Sequence, residues 1–504
     1  MASRQANILF IMSDDHAAHA ISAYGSRVNR TPHIDRIADG GMRMDNCHVT
    51  NSICTPSRAT FLTGQYGHVN GVRTLADTLG PDYDPQVQKL LQRAGYATAI
   101  FGKWHLGVYW GIEPGGFDDW ELLPGQGEYY GPEFVTPRGR HRRCGYVTDI
   151  TTDLTLEWLR RRDTSKPFFL CCHHKAPHRP WTPGPDHRDM LADEDVPEPE
   201  TFDDDYAHRA EAARRACMRV DRHMTYDDLS LVPPPGTGRG KGVRIPDSLS
   251  GYTLTTDEGD RVSFDSYAQL KSFKYQRYIK DYLRCVQGID DGVGRLLDYL
   301  DEAGIAEDTL VIYTSDQGFF LGDHGWYDKR FMYEHSLRTP LVIRYPRAIK
   351  PGSSSDAIVA NHDWAPTLLD YAGVETPDAM QGRSARPILE GSVPDDWPQT
   401  IYYRYWEHLG HHVAAHYGVR DHRYKLIFYY GEGLGAGNTT KEKLTAPEWE
   451  LFDLRSDPCE LVSVFDDPAY APVRDRLRGE LDRLQAVYGD EPRHRPGTFR
   501  SIRE

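Results

Sequence analysis

Short apolar blocks, each stopping abruptly at polar residues, set the texture of this chain. Asn7–Ser13 is an almost unbroken apolar run that ends at Asp14-Asp15-His16, as expected of a strand buried on both faces. The pattern returns at Tyr96–Phe101, ahead of Gly102-Lys103-Trp104-His105. It returns again at Pro167–Cys172, ahead of His173-His174-Lys175-Ala176-Pro177-His178, and at Thr309–Thr314, ahead of Ser315-Asp316-Gln317-Gly318. Leu341–Tyr345 predicts one more strand. Between these blocks the spacing becomes helical. Thr31–Ala38 begins with a capping threonine and Pro32 in the first position, and Gly40-Gly41 ends it. Asp84–Ala94, stopped by Gly95, and Asp149–Arg162 read as amphipathic helices. Tyr267–Ala303 reads as a long helix broken near Gly288 and Gly292.

This alternation predicts an α/β fold: a large, mostly parallel or mixed sheet sandwiched by helices. Residues 186–265, rich in acid, proline and glycine, read as a long, partly mobile insertion. From about Asp395 the texture changes. Tyr402–Trp406, Val413–Val419, Arg423–Tyr430 and Trp449–Leu454 predict shorter, aromatic-rich antiparallel strands, and Val473–Tyr488 a terminal amphipathic helix. The expected organisation is a catalytic α/β domain over residues 1–394 and a smaller C-terminal α+β subdomain with an antiparallel sheet over 395–504.

Composition narrows the function. With 39% hydrophobic and 26% charged residues the chain is globular. A net charge of −15 argues against a nucleic-acid partner, which needs a broad basic surface. An anionic ligand must then be drawn in by a local cluster. No apolar run approaches the length of a membrane span, so no membrane partner is expected. The apolar stretch Ala6–Met12 is too short for a signal-peptide core. Cytoplasmic residence is the expectation, or export if a leader has been lost. The 8 cysteines contain no Cys-x-x-Cys pair and read as mostly reduced thiols.

Ligands of open parallel sheets bind beyond the carboxyl ends of the strands. That rule gathers Asp14, Asp15, Lys103, His105, His178, Asp316 and Gln317 around one pocket. Cys54 joins them at a helix start, with Pro56 in the first turn and Gly64 closing the helix, where the backbone favours anions. Singly, each has an ordinary use: a buried thiol, a capping acid pair, a satisfied histidine, a charged loop at Lys329. Together, Asp14, Asp15, Asp316 and Gln317 form an all-oxygen set suited to a hard cation such as calcium, with zinc the weaker candidate.

Cys54-Thr55-Pro56-Ser57-Arg58, followed by Leu62-Thr63-Gly64, resembles the signature of the type I sulfatases. Gly95-Tyr96-Ala97-Thr98 with Gly102-Lys103-Trp104-His105 resembles their second signature, and Ala176-Pro177-His178 the segment with a sulfate-binding histidine. Thr314–Gly318 with Asp328-Lys329-Arg330 resembles the late metal motif and its lysine. One departure is Gln317, where the family often has asparagine or histidine. The resemblance implies an alkaline-phosphatase-like fold and a sulfuric ester hydrolase. Cys54 is expected to be oxidised to formylglycine by a separate maturation enzyme, its hydrate serving as nucleophile. One Ca2+, in preference to Mg2+, is expected on Asp14, Asp15, Asp316, Gln317 and the modified Cys54. By the same resemblance Arg58 helps deprotonate the nucleophile, and Lys103, His178 and Lys329 neutralise sulfate oxygens. His178 or Lys329 protonates the leaving alcohol, and His105 is the base that releases sulfate.

The run from Tyr402 to Ile427, with Met332–Pro340, is similar to bacterial N-acetylglucosamine-6-sulfatase-like enzymes. It implies a sulfated carbohydrate substrate: GlcNAc-6-sulfate or another glycosaminoglycan-derived mono- or disaccharide. Glu407, His408 and His412, among aromatics, are the candidate sugar contacts, with packing of the small sheet as their alternative use. Two other readings stand beside this one: a phosphate- or phosphonate-ester hydrolase of the same superfamily, and an unmodified, non-catalytic anion-binding homologue. Oligomeric state is not legible in the sequence.

Overall fold

Runs that are apolar on both sides of the backbone build the centre of the molecule. The computed structural model describes residues 5–411, 413–433 and 445–490. Its main sheet contains β1 (Asn7–Ser13), β2 (Met42–Met44), β3 (Ala97–Lys103), β4 (Asp119–Leu123), β5 (Glu133–Thr136), β6 (Gly139–Arg142), β7 (Phe168–His173), β8 (Thr309–Ser315), β9 (Leu341–Arg344) and β10 (Ser353–Ser355). The order across the sheet is β10-β2-β9-β8-β1-β7-β3-β4-β5-β6. Five neighbours, β8, β1, β7, β3 and β4, run parallel. Their carboxyl ends therefore open on the same side. β9 runs antiparallel to β8, which makes the sheet mixed.

Residues of β1 alternate between two cores. Leu9 and Ile11 face the helices α1 (Pro32–Asp39), α3 (Val147–Arg161) and α4 (Tyr267–Glu302), whereas Ile8, Phe10 and Met12 face α2 (Cys54–Thr63) and α5 (Trp364–Ala372). On the second side Phe61 of α2 stacks on Phe10 with ring centroids 4.3 Å apart. The sandwich is the one the alternating pattern predicts.

Several expectations change in detail. Thr31 does not cap α1 with its side chain; its hydroxyl accepts the Ser22 N–H at 3.0 Å. The α1 entry is capped instead from α4, where the Asp290 carboxylate accepts the His33 and Ile34 N–H groups at 3.1 and 2.8 Å. The helix expected at Asp84–Ala94 is confined to Val87–Arg93. Helix α4 runs unbroken for 36 residues through Gly288 and Gly292. Gly292 is there for closeness: a Cβ on it would lie 2.6 Å from Thr152 Oγ1 on α3. The insertion at 186–265 is no loose appendage, since Val196, Phe202, Val220, Met224, Leu229, Leu231 and Val243 are buried in the same core as α4.

The C-terminal region forms a separate antiparallel sheet of β11 (Thr400–Tyr405), β12 (His416–Asp421), β13 (Tyr424–Tyr429) and β14 (Glu448–Asp453), in that order. Helix α6 (Ala471–Tyr488) covers one face with Leu477, Leu481 and Leu484. The two-residue period of a strand sends Tyr403, Tyr405, Ile427 and Tyr429 to the other face. There they pack on Ile53, Phe331, Met332 and Tyr333.

Alanine favours a helix interior over glycine by about 1 kcal/mol. At position 292 the contact with Thr152 outweighs that gain, because overpacking costs about 1–3 kcal/mol. Gly292→Ala should lower stability by about 1–2 kcal/mol in urea unfolding, and Gly292→Ala/Thr152→Ala should recover most of the loss.

Candidate active site

Four strand ends and one helix start meet at a single place. Asp14 and Asp15 follow β1, Asp316 and Gln317 follow β8, Lys103 is the last residue of β3, and His178 lies in the turn after β7. Cys54 is the first residue of α2. Pro56, at the third helical position, gives up an N–H that would have had no partner within the helix. Gly64 ends the helix in the left-handed region at φ 63° and donates to Thr60 O at 2.8 Å. All ten side chains of α2 are buried, and Cys54 is 1% exposed.

Donor atoms of Asp14, Asp15 and Asp316 lie within 4.8 Å of one another, and those of Asp14, Cys54 and His178 do the same. Each carboxylate has a cation. Lys103 donates to Asp14 and Lys329 to Asp15, and Arg58 Nε reaches Asp316 Oδ2 at 2.9 Å. Arg58 also donates to Lys103 O at 2.9 Å, which fixes the end of β3. His178 Nδ1 lies 2.6 Å from Arg179 O, so that nitrogen carries the proton and Nε2 faces Asp15 Oδ2 at 3.8 Å. His105 has its Nδ1 buried without a partner, and its backbone carbonyl accepts Thr55 Oγ1 at 2.9 Å.

Burial dominates the electrostatics. It pushes the Asp15 carboxyl up to about 6 against the pull of Lys329, and the Cys54 thiol up to about 12. A bare thiol so placed is a poor nucleophile, because the thiolate is the reactive form. Burial lowers Lys103, and burial followed by the charge of Lys103 lowers His105 and His178. Lys329 is held above its ordinary value: burial, the largest influence, would lower it, and the charges of Asp15, Cys54 and Asp328 together more than offset that.

The residues present fit a hard divalent cation. Besides three carboxylates at one point, Asp15 Oδ2 and Gln317 Oε1 are buried oxygens without a hydrogen-bond partner, a state that costs free energy unless something binds them. Gln317 places its amide against Asp15 and 3.8 Å from Cys54 Sγ. The longer side chain therefore still reaches the cluster.

Other residues at the site carry little sequence signal. Lys103 also donates to Gln126. Lys175 is buried with Nζ 4.4 Å from the Tyr129 ring centroid and is pushed down to about 8 by burial. It stands in the His173–His178 string, where a cation after a buried strand is the available clue. The Tyr403 hydroxyl accepts the Ser52 N–H at 3.0 Å and donates to Arg330 O at 2.5 Å, joining the segments that carry Cys54 and Lys329. Nothing in its aromatic strand distinguishes it. Of the proposed sugar contacts, Glu407 is buried within electrostatic reach of Arg330. His408 is buried and accepts the Ala415 N–H at 3.3 Å. His412 lies outside the described residues.

Comparison with known proteins meets this geometry. Residues 6–374 match the Sulfatase family model, and residues 322–487 match the model described as N-sulphoglucosamine sulphohydrolase, C-terminal. An N-acetylglucosamine-6-O-sulfatase of Bacteroides thetaiotaomicron is 43% identical, over 97% of this chain and 88% of that protein. An arylsulfatase of Clostridium perfringens is 27% identical, over 96% of each chain. A solved complex with its substrate D-glucosamine-2-N,6-O-disulfate superposes with a TM-score of 0.87 at 42% identity, covering 97% of this chain and 99% of that one. With its cysteine-led helix, carboxylate cluster and ring of cations, the chain belongs to the sulfatase family.

Proposed function

We propose that this protein hydrolyses a sulfate ester on a small sulfated sugar, with a 6-O-sulfated glucosamine as the favoured substrate. The observation that carries the reading is the charge arrangement at the strand ends. Three buried carboxylates are matched one for one by Lys103, Lys329 and Arg58, so a bound dication leaves a local positive excess on a chain whose net charge is −15. That excess attracts an anionic ester and opposes the charge developing on it. The solved relative with a glucosamine disulfate, and the 6-O-sulfatase relative, support the sugar class.

The family commonly carries formylglycine and a divalent cation, and the assignments here are Cys54 for the modification and Ca2+ on Asp14, Asp15, Asp316 and Gln317. The ion, when bound, lowers the pKa of an oxygen beside it and orients the sulfate. The hydrated aldehyde offers the hydroxyl that a thiol lacks. The chain's own residues do the rest. Arg58 stands over the end of β3 and holds Asp316. Lys103 and Lys329 supply fixed charge for sulfate oxygens. His178, with its tautomer set by Arg179 O, keeps an unprotonated Nε2 on the site, so it serves as the acid only after taking up a proton there. Lys329, held protonated beside Asp15, has a proton ready for the leaving alcohol. His105, with an uncommitted ring nitrogen, is the base that completes sulfate release. The oxidising enzyme is the expected maturation partner, and cytoplasmic residence stays part of the proposal.

Mass spectrometry of protein from a host that oxidises sulfatase cysteines should find the aldehyde on the Cys54 peptide, and Cys54→Ala should lose activity by about 10⁴-fold or more. Full turnover with an intact thiol refutes the mechanism. Among sulfated monosaccharides and an aryl phosphonate ester, the 6-O-sulfated amino sugars should be cleaved fastest; faster phosphonate cleavage makes the chain a phosphonate hydrolase instead.

Dialysis against chelator should cost about 10²–10⁴-fold in rate, since cation stabilisation is worth several kcal/mol, and added Ca2+ should restore it. Tyr403→Phe orphans the buried Ser52 N–H and Arg330 C=O at about 1–3 kcal/mol each. Its melting temperature and kcat should both fall, with Cys54 still oxidised.

A further inference from the structure

Apart from the carboxylate cluster, two imidazoles and one carboxylate converge from three segments. His19 follows β1 and its acids, Asp323 lies in the turn between Gln317 and Lys329, and His335 is in the short helix Glu334–Leu337. His19 Nε2 is 3.2 Å from Asp323 Oδ2, and His335 Nε2 is 3.2 Å from Asp323 Oδ1. One donor atom from each residue lies within 4.8 Å of the others. A tetrahedral zinc ion with bonds of about 2.0–2.1 Å spaces its ligand atoms about 3.3 Å apart. Each imidazole nitrogen stands at about that distance from one oxygen of Asp323, His19 from Oδ2 and His335 from Oδ1.

The alternative is a plain ion-paired cluster, and two observations weigh against it. His19 Nε2 is buried 3.2 Å from Asp323 Oδ2 in an arrangement poorly aligned for an N–H···O bond. Asp323 is also held in place, and the two rings are packed at an angle. Asp323 Oδ2 accepts the Leu321 N–H at 3.0 Å, the His335 ring lies 6.0 Å from that of Phe320, and the two imidazoles stand at 75° to each other. The neighbouring acid, Glu334, is engaged by Arg420 at 3.2 Å and Lys425 at 2.8 Å and does not compete. A cavity of about 330 Å³, lined in part by His19, His335, Tyr24 and Arg338, adjoins the cluster and leaves room for a water ligand.

We propose that His19, Asp323 and His335 form a second metal site, for a transition dication of the zinc class, with three protein ligands and the cavity side open to water. Two imidazoles and a carboxylate suit such an ion, whereas the all-oxygen cluster suits calcium, so ligand chemistry sorts the two metals. An ion here ties the segment after Asp14-Asp15 to the turn that joins Gln317 to Lys329.

The test uses the full chain loaded with calcium and dialysed against micromolar ZnCl2 in excess CaCl2. Elemental analysis should find one zinc per chain in wild type and in Asp316→Asn, and none in His19→Ala/His335→Ala. Cobalt in place of zinc should give the visible absorption of a tetrahedral ion in wild type and not in the double variant. Zinc at background in wild type, equal zinc in the double variant, or zinc lost only with Asp316→Asn overturns the proposal. Should the double variant fail to fold by circular dichroism, His19→Gln serves: this side chain is 38% exposed, and the substitution should weaken zinc binding by about 10-fold or more. Unchanged affinity in that variant also overturns it.

Discussion

Mutual repulsion among Asp14, Asp15 and Asp316 is the constraint around which this molecule is arranged. With an oxygen of each within 4.8 Å of the others, each pair of charged carboxylates would oppose the other by about 3 kcal/mol or more at a typical effective protein dielectric. Removing the charge by protonation would remove the site, so the fold answers with cations from three other places: Lys103 at a strand end, Lys329 in a loop and Arg58 on a helix. No local stretch of chain can bring these six together. A parallel sheet can, because it presents several carboxyl ends side by side. The demand is visible in the backbone as well. Asp15, His105, Asp328 and Arg330 all have positive φ, at 70°, 60°, 79° and 93°, a conformation that costs each non-glycine residue about 1–3 kcal/mol and persists where the surroundings over-determine it.

The C-terminal sheet belongs to this arrangement. One face is closed by the leucines of α6, and the other packs on Ile53 and Phe331–Tyr333, next to Cys54 and Lys329. The Tyr403 hydroxyl bonds to both segments. A sheet distant in sequence thus sets how far α2, which begins at Cys54, stands from the lysine on Asp15.

The apolar blocks are legible in the sequence because a strand buried on both faces has a continuous signature, and its polar terminus stands out against it. Hence Asp14, Asp15, Asp316, Gln317, Lys103 and His178 group together from the sequence alone. Helix α4 reads as broken because glycine is a breaker, while Gly292 serves closeness to Thr152, a contact that exists only in three dimensions. The insertion hides its apolar anchors one at a time among prolines and acids, with no period to reveal them. Thr31 illustrates competition: its hydroxyl goes to Ser22, and a carboxylate some 257 positions away caps the helix. Tyr403 and Gln126 act through a single hydrogen-bonding atom each, which leaves no mark on composition or period.

Helix α2 runs through the interior with no side chain exposed, and the sulfur at its start is sealed by Asp14 and Gln317. Once the sheet has closed, a second macromolecule has no path to that atom. On the proposal that a second enzyme oxidises Cys54, that enzyme would have to meet the chain before this enclosure forms.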